Sequence, residues 1–414
     1  MDARYPIRPI ALSELPQYLR VGQHAFNSAW PSAEWLRLAE KVFEPERSLA
    51  AFDGDEIIGT TEVMSFELTV PGGGQVGCAG VTGVAVLPSH RRQGVLSSLM
   101  NEQLAGIAAG TEPVAALLAS ETAIYGRYGY GVATWRVRYS IKRGEARLRA
   151  PAKPLKLRLA APRDVAERLA GVYDAIRPSR PGMLTRNAAY WDAMLADPEF
   201  MREGMTPERC VLAESESGFR GYALYSVQPI WRPDGIPGQV LVIRELFALD
   251  LDATIALWTD LFSRDLVGEI TVRSRPVDDP LLHLLPDPRR ARPAYLDGLW
   301  IRLIDLPAAL TQRQYSCAVD LVLEVRDDRL PANAGRWRLQ AGGPADQVKP
   351  SCELTSAEPD LTLPVAALGA AYLGGARLAS LAETGAITEH RPGAVAALST
   401  AMWWDPAPWA PTTF

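Results

Sequence analysis

One short stretch of this sequence has the residue types and spacing to bind an anion. Residues 91–94 read RRQG and lie between an apolar stretch with strand character and an apolar stretch with helix character. A helix N-terminus exposes unpaired N–H groups and carries about half a positive charge, and a glycine there lets a ligand approach the backbone closely. The stretch therefore predicts a cradle for a pyrophosphate group; a basic loop that only caps a helix is the alternative.

Two elements must position this corner. A strand over residues 82–87 ends at Pro88, and a helix over residues 95–109 has Leu96 and Leu99 on its apolar side. The last residues of such a strand can offer free backbone groups to an extended ligand that carries amides, much as an added strand would use them. A helix that packs after a central strand favours an α+β region over the first 140 or so residues.

Composition limits the classes of protein to consider. The chain has 414 residues, 48% hydrophobic and 22% charged, with a formal net charge of −5. These values are typical of a globular protein of two or three domains and give no reason to expect a nucleic-acid partner. The four cysteines are far apart and the histidines do not cluster with them, so we expect no metal site and no disulfide framework. Without a leader-like N-terminus or an apolar run of about 18 residues, a cytoplasmic location is expected.

The rest of the chain divides into two further regions. Pro-, Lys- and Arg-rich stretches around residues 141–163 favour a linker. In the region that follows, residues 239–262 repeat the order of strand, loop and helix, but the loop reads LDLDAT, with aspartates in place of the arginines and glycine. A third region, with short strands followed by helices, begins near residue 299. If the fold is duplicated, its second copy has lost the anion-binding corner.

Residues 91–96, RRQGVL, resemble the coenzyme A motif of the GCN5-related N-acetyltransferase (GNAT) superfamily, which reads Arg/Gln-x-x-Gly-x-Gly/Ala between a strand and a helix. Leu96 departs from the small residue usual at the last position. The joint pattern resembles the enhanced intracellular survival (Eis) acetyltransferases over nearly the whole chain. Further stretches that carry the Eis resemblance are ASETAIYGRYGYG (119–131), GYALY (221–225), DGLWIR (297–302) and DLPAAL (305–310).

This resemblance implies an α+β fold class, with two tandem GNAT folds followed by a sterol-carrier-protein-like α+β domain. It implies a catalytic GNAT domain over residues 1–145, a degenerate GNAT-like domain without coenzyme over 146–297, and a sterol-carrier-protein-like domain over 298–414. The C-terminal tail of the third domain is expected to enter the active site. The family pattern also implies a homo-oligomer, specifically a hexamer.

The function implied by the resemblance is N-acetylation, from acetyl-CoA, of primary amines on polycationic small molecules such as aminoglycosides. Acetyl-CoA is the expected cosubstrate, and no metal is expected. The coenzyme-binding residues implied in this way are Val84, Ala85, Val86, Arg91, Arg92, Gln93, Gly94, Val95, Leu96, Ser97, Ser120 and Glu121.

Two catalytic groups follow from the same resemblance. Tyr125 is the implied general acid, because a phenol with a pKa near 10 can give a proton to a nascent thiolate whose thiol has a pKa near 8.5; the alternative is that Tyr125 only packs. The implied base is the terminal carboxylate of Phe414. Since its usual pKa is only about 3.5, it would act through a water molecule or by orienting the amine. The proline- and tryptophan-rich tail, WWDPAPWAPTTF, is stiff enough to deliver it.

The implied acceptor pocket contains Phe26, Ser28, Trp35 and Gly83. Relatives place acids near the end of the first helix and next to the terminal residue, where this chain has Ser28 and Thr413. The anchoring of the amine is therefore open at this point. Phe26, Trp30 and Trp35 either line the pocket with aromatic rings or belong to the core.

Two other functions compete with this one. The first is a protein lysine acetyltransferase, which does the same chemistry on a macromolecule. The second is a lipid- or sterol-binding protein that uses residues 300–414 and keeps only a vestigial acetyltransferase domain. The intact corner at residues 91–96 and the presence of Tyr125 favour an enzyme over the lipid carrier.

Overall fold

The computed structural model describes residues 5–28, 32–151, 155–216, 218–231, 233–236, 238–346 and 348–414. Trp30, one of the aromatic residues considered for the pocket, lies outside these ranges. The chain divides into two compact units: Met1–Thr134 with Arg180–Thr185 and Gly298–Phe414, and Trp135–Ser179 with Arg186–Asp297. Among the described helices, none is both long and apolar enough to cross a membrane.

The bounds of the elements are as follows. The strands are β1 (Ile7–Pro9), β2 (Leu49–Asp53), β3 (Glu56–Thr69), β4 (Gln75–Val86), β5 (Val114–Leu118), β6 (Gly131–Val132), β7 (Trp135–Lys142), β8 (Lys156–Ala160), β9 (Arg209–Ser215), β10 (Gly218–Gln228), β11 (Gln239–Ala248), β12 (Val267–Pro276), β13 (Ala294–Asp297), β14 (Leu299–Leu303), β15 (Val319–Arg326), β16 (Gly335–Ala341), β17 (Ser351–Leu354), β18 (Leu361–Pro364) and β19 (Thr388–Glu389). The α-helices are α1 (Leu15–Phe26), α2 (Ala33–Val42), α3 (Val95–Ala108), α4 (Thr122–Tyr125), α5 (Ala166–Ile176), α6 (Ala188–Met194), α7 (Leu251–Ser263), α8 (Leu281–Leu284), α9 (Leu306–Thr311), α10 (Val365–Ala371), α11 (Leu378–Ala382) and α12 (Ala394–Met402).

The first sheet carries the predicted corner. Its strands follow the order β1-β2-β3-β4-β5-β14-β6. β3 and β4 form a long antiparallel hairpin, whereas β4 and β5 run parallel and are connected through α3, because parallel neighbours need a crossover of this length. Met100 and Leu104 of α3 are buried in one cluster with Val63 of β3 and Val81 of β4. The strand and helix predicted around residues 91–94 are therefore observed, as β4 and α3.

Strand membership does not follow the order of the chain. β7 pairs with β12 and β13 in the second sheet, although it comes directly after β6 of the first. β14, which comes after the second unit, returns to pair with β5 and β6. The ranges 1–145, 146–297 and 298–414 stay a prediction about domains. β7, in the first range, belongs to the second sheet, and β14, in the third range, belongs to the first sheet.

The second unit repeats the first arrangement. Its sheet has the order β13-β7-β12-β11-β10-β9-β8, and β11 and β12 are parallel with α7 between them. Leu257, Trp258 and Leu261 of α7 are buried in the core of this unit. The strand, loop and helix predicted over residues 239–262 are thus a second copy of the crossover made by β4, α3 and β5.

The residues after β14 form a third sheet with the order β17-β16-β15-β18-β19. Short strands followed by helices were expected here, and α10, α11 and α12 follow β18 with only the short β19 between them. Arg302 of β14 and Asp327, directly after β15, form a buried ion pair with both N–O distances at 2.7 Å. Such a pair fixes geometry more than it adds stability, and it connects this module to the first sheet. After α12, residues 403–414 contain neither helix nor strand.

Candidate active site

A cleft opens between β4 and β5, the parallel strands of the first sheet. The two strands pair only from Cys78 with Val114 to Gly80 with Ala116. β4 then continues to Val86 with no strand partner on that side in the described part of the chain. The backbone groups of β4 beyond Gly80 are therefore open to an extended ligand that carries amides.

A β-bulge lies in the open part of β4. The pairing with β3 slips at positions 83 and 84, where two residues of β4 oppose one residue of β3. Gly83 has a φ of +57°, which suits glycine, and its carbonyl oxygen accepts a 2.7 Å hydrogen bond from the Thr60 hydroxyl. Bulges often re-aim backbone groups beside active sites. The predicted Val84, Ala85 and Val86 follow Gly83 directly, so their N–H groups are candidates to meet a thioester carbonyl.

The predicted corner is an open helix N-terminus. α3 begins after Gly94, which has a φ of +88° and whose position is capped by no side chain. A side chain added at Gly94 would meet nothing within 4 Å. Arg91 and Arg92 are exposed, and neither side chain forms a hydrogen bond or ion pair within the described residues. Two unengaged guanidinium groups beside uncapped N–H groups suit a pyrophosphate.

The neighbours of the corner hold it in place. The Gln93 side chain accepts a 2.9 Å hydrogen bond from the Tyr5 hydroxyl and donates one of 3.2 Å to the carbonyl oxygen of Ser89. The hydroxyl groups of Ser97 and Tyr128 lie 3.2 Å apart. Val95 is buried and Leu96 half-buried among the apolar residues under the helix. The two arginines of the corner are therefore open to solvent, while the hydrogen bonds of Gln93 and the apolar packing of Val95 and Leu96 hold its backbone in place.

The corresponding helix of the second unit is closed. Asp250 stands before α7, and its side chain accepts a 2.8 Å hydrogen bond from the backbone N–H of Ala253. Arg220 pairs with the same carboxylate at 2.6 Å. A carboxylate of the chain itself thus takes the place that an anionic ligand would need, because both seek the free N–H groups and the positive end of the helix dipole.

Tyr125 is the last residue of α4, the short helix that follows β5. Its side chain is 5% exposed and its ring packs edge-on against Tyr130 with ring centroids 6.2 Å apart. Burial, and then the negative charge of Glu121, raise the pKa of the Tyr125 phenol, while Ser120 lowers it. Tyr125 therefore keeps its proton at neutral pH, which is the protonation state that a general acid needs. The predicted Ser120 and Glu121 are exposed at the end of β5.

The C-terminal tail is packed into the first unit. The backbone N–H of Trp409 donates a 2.9 Å hydrogen bond to Pro181, and Arg180 donates one of 2.7 Å to the carbonyl oxygen of Ala407. Trp409 and Thr412 are buried, the latter completely. Residues 407–412 are therefore held against residues 180 and 181, with Trp409 and Thr412 buried.

Phe414 lies on the face of the first sheet opposite α3. Its ring centroid is 5.1 Å from that of Phe66 on β3, and a side chain added at Gly80 of β4 would meet it at 3.1 Å. The Thr61 hydroxyl accepts a hydrogen bond from Gln103 of α3, so the Thr61 side chain lies on the α3 face of β3. Since side chains alternate along a strand, Glu62, Met64 and Phe66 lie on the opposite face. The face that carries Glu62, Met64 and Phe66, together with Gly80, is called the acceptor face below.

Sequence reasoning missed three residues of the acceptor face: Glu62, Phe66 and Gly80. A signal for Glu62 was available, since it is an acid in the middle of the long strand stretch IIGTTEVMSF. The other two could not be recognised, because they matter only through their contact with the distant Phe414.

The predicted pocket residues lie on and near the first two helices. Phe26 is exposed at the last position of α1, and Ser28 follows it, with its backbone N–H bonded to the carbonyl oxygen of Gln23 at 3.0 Å. Trp35 is half-buried in α2. Within the described residues, no hydrogen bond or ring contact joins these three side chains to Glu62 or Phe414. Their part in the pocket stays a prediction.

No metal centre accompanies this site within the described ranges, where no group of three or more histidine, cysteine, aspartate or glutamate side chains could hold a metal ion. The chemistry available at this site is that of the open cleft, the cationic corner, a buried phenol and the Glu62 carboxylate of the acceptor face, with the chain terminus close to that face.

Family models cover most of the chain. The acetyltransferase (GNAT) domain matches residues 6–133, and a second model of the acetyltransferase (GNAT) domain matches residues 182–303. The sterol carrier protein domain matches residues 306–411.

Individual relatives support the same assignment. An uncharacterized N-acetyltransferase of Streptomyces coelicolor is 44% identical over 94% of this chain and 95% of its own length. The N-acetyltransferase Eis of Mycobacterium bovis is 36% identical over 80% of this chain and 79% of its own. The crystal structure of Eis1 from Mycobacterium abscessus superposes with a TM-score of 0.84 at 33% identity, covering 99% of this chain and all of that one. The chain belongs to the Eis-type N-acetyltransferases, with two tandem GNAT domains and a C-terminal sterol-carrier-protein-like domain.

Proposed function

We propose that this N-acetyltransferase transfers the acetyl group of acetyl-CoA to primary amines of polycationic small molecules such as aminoglycosides. The observation that carries the proposal is the open N-terminus of α3, with its two unengaged arginines, beside the gap between β4 and β5. In the second unit the same helix end is closed by Asp250, which supports a single coenzyme site per chain.

The coenzyme would use the two open features together. Its pyrophosphate would lie against the N–H groups of residues 94–97 and the guanidinium groups of Arg91 and Arg92. The amide-bearing arm would extend along β4 in the way an added strand does. The thioester carbonyl would then reach the bulge, where backbone N–H groups after Gly83 can stabilise the negative charge of the tetrahedral intermediate.

Two groups would handle protons. Tyr125 would give its phenolic proton to the departing thiolate, since burial favours the protonated phenol. The terminal carboxylate of Phe414 would orient the amine or accept a proton through water. Its approach to the acceptor face is supported by the contact of its ring with Phe66.

The acceptor class rests on the relatives and on charge. The Eis resemblance suggests amines, and the acceptor face offers the unpaired carboxylate of Glu62 as well as the chain terminus. Carboxylates at the end of a cleft favour a cationic acceptor through electrostatic complementarity. A protein lysine side chain is also a primary amine, so the panel of acceptors must include one.

The test is a measurement of thiol release from acetyl-CoA with a panel of aminoglycosides, polyamines, lysine peptides and intact proteins, with mass spectrometry of the products. The proposal expects one or more acetyl groups on the small polycations and kcat/KM values for them well above those for lysine peptides. Acetylation confined to peptides or proteins, or no transfer to any amine, would overturn it.

A further inference from the structure

Glu62 is an acid that the fold leaves without a partner. It lies in the middle of β3, is half-buried, and its carboxylate forms no hydrogen bond or ion pair with any described residue. Carboxylates removed from water are normally paired or hydrogen-bonded, because an uncompensated charge there is costly. An unpaired carboxylate in a strand otherwise rich in apolar side chains therefore points to a functional role rather than a stabilising one.

Glu62 lies beside the bulge in β4, where the acetyl transfer would occur. Its Oε2 atom lies 3.4 Å from the place where a side chain on Gly83 would begin, so the carboxylate stands over the bulge. It shares the acceptor face with Phe66, whose ring contacts that of Phe414. Gly80, which lies under the Phe414 ring, pairs with Met64, two residues or about 7 Å along β3 from Glu62.

Within the described residues, no cation forms an ion pair with the Glu62 carboxylate. Glu44 is fixed at the edge of β3 by hydrogen bonds of 2.6 Å from the Ser65 backbone N–H and 2.7 Å from its hydroxyl. Tyr18 faces Glu62 from α1 and interacts with its charge. Arg47 is paired with Glu112 at 2.7 Å and with Glu44 at 3.9 Å, and not with Glu62. Among the described residues, the charges around Glu62 thus leave room for a cation from outside.

We propose that Glu62 receives the ammonium group of the acceptor beside the thioester and removes its first proton. The inference rests on the proposed acetyl transfer and adds the residue that selects and activates a cationic amine.

The proposed step balances as follows. The Glu62 carboxylate takes one proton from the ammonium, and the lone pair so freed forms the C–N bond to the thioester carbonyl. The nitrogen, now positive, loses a second proton to water or to the terminal carboxylate. The C–S bond breaks, and the thiolate takes the phenolic proton of Tyr125. The tyrosinate then recovers a proton from solvent, and Glu62 releases its proton to solvent. The sum is one amide, one free thiol and one proton released to solvent.

Base strength distinguishes Glu62 from the chain terminus. Burial, and then repulsion by Glu44, raise the pKa of Glu62 to about 7. An alkylamine has a pKa near 10.4 and a terminal carboxyl near 3.5. Proton transfer from the ammonium is therefore uphill by about three pKa units towards Glu62 but by about seven towards the carboxylate of Phe414. Glu62 is the stronger base for the first proton, and the terminal carboxylate is left to orient the amine or to accept the second proton.

The experiment compares wild type with Glu62→Gln, which keeps the shape and removes the charge, and with Glu67→Gln, an exposed acid on the same strand, as control. Each is assayed with a polyamine and with an alkoxyamine, a primary amine that is uncharged at neutral pH, between pH 5.5 and 9. Wild-type kcat/KM for the polyamine is expected to rise through pH 7 as Glu62 ionises in the free enzyme. The Glu62→Gln variant is expected to lose at least 100-fold at pH 8 and to lose that rise, while Glu67→Gln retains both.

The two amines separate an electrostatic role from a structural one. Glu62→Gln is expected to change kcat/KM for the alkoxyamine by less than about 10-fold, because no ammonium has to be held or deprotonated. Two outcomes would overturn the proposal: an equal loss of kcat/KM for both amines in Glu62→Gln, or full activity of this variant with the rise of kcat/KM through pH 7 retained. Where the alkoxyamine is not turned over, the pH profile with the polyamine decides. A wild-type enzyme that acetylates no amine contradicts the proposed function instead, and so the two failures are distinct.

Discussion

The rings of Phe66 and Phe414 lie with their centroids 5.1 Å apart, tilted by 47°, beside the Cα atom of Gly80. This contact brings the last residue of the chain to a face formed by residues of its first hundred. Phe66 provides a ring against which Phe414 packs, and Gly80, which has no side chain, leaves space for the Phe414 ring.

A side chain at Gly80 should therefore displace the tail. The Cβ atom of Gly80→Ala would lie 2.5 Å from the Phe66 ring and 3.1 Å from the Phe414 ring. We expect an overpacking cost of about 1–3 kcal/mol, faster release of Phe414 by carboxypeptidase, and a lower kcat. Gly106→Ala is the control, because a side chain there meets nothing within 4 Å. A Gly80→Ala protein with unchanged melting temperature and protected terminus would contradict this account of the contact.

The terminal carboxylate can be tested apart from the Phe414 ring. Amidation of Phe414 by ligation of a synthetic tail should lower kcat by about 10²–10⁴ without changing the melting temperature or the affinity for acetyl-CoA. Phe414→Leu, which keeps the carboxylate, serves as the matched variant and should retain most of kcat. Full activity of the amidated enzyme would remove the carboxylate from the mechanism, whatever the acceptor.

Tyr125→Phe removes the proposed acid and little else. We expect kcat to fall by about 10²–10⁴, with KM for acetyl-CoA nearly unchanged. Tyr130→Phe is the control, because the Tyr130 hydroxyl is buried without a hydrogen-bond partner within the described residues, and its removal should be neutral or stabilising. If the two variants have equal activity, Tyr125 only packs.

The Glu62 carboxylate should cost stability in a pH-dependent way. Burial and Glu44 raise its pKa from about 4.5 to about 7, so between these values the folded chain holds a proton that the unfolded chain has lost. The free energy of unfolding therefore falls as pH rises through this window, and the cost is constant above it. Since Glu62 is only half-buried, we expect Glu62→Gln to be more stable than wild type at pH 8 by about 1–3 kcal/mol and nearly equal at pH 4.5. Denaturant titrations at the two pH values check this; a difference independent of pH would contradict it.

Local patterns in the sequence were enough for the coenzyme corner. The strand, the RRQG stretch and the helix are neighbours along the chain; the end of β4 and both ends of α3 lie within a residue of the predicted positions, although β4 begins seven residues before the predicted strand. The repeat over residues 239–262 could be predicted for the same reason. Short-range order of this kind depends on periodicity and turn residues rather than on distant contacts.

Pairing over long distances could not be predicted. Nothing in the sequence near β14 shows that it pairs with β5, nearly two hundred residues earlier, or that β7 leaves the first sheet. The same limit applied to Glu62, because its pKa depends on burial and on Glu44, which only the fold brings near it. The position of Phe414 depends on residues 180–182 and on Gly80, which likewise contact the tail only in the folded chain.

Calorimetric titration with acetyl-CoA tests whether α3, rather than α7, is the coenzyme-binding helix. Wild type should bind one acetyl-CoA per chain. Combined Arg91→Ala and Arg92→Ala should weaken binding by about 10–100-fold, the range expected for lost charge-assisted hydrogen bonds, and should reduce its salt dependence. Asp250→Asn, which preserves the helix cap, should bind as wild type does. Two coenzymes per chain, or unchanged affinity in the double variant, would contradict the assignment of the single coenzyme site to α3.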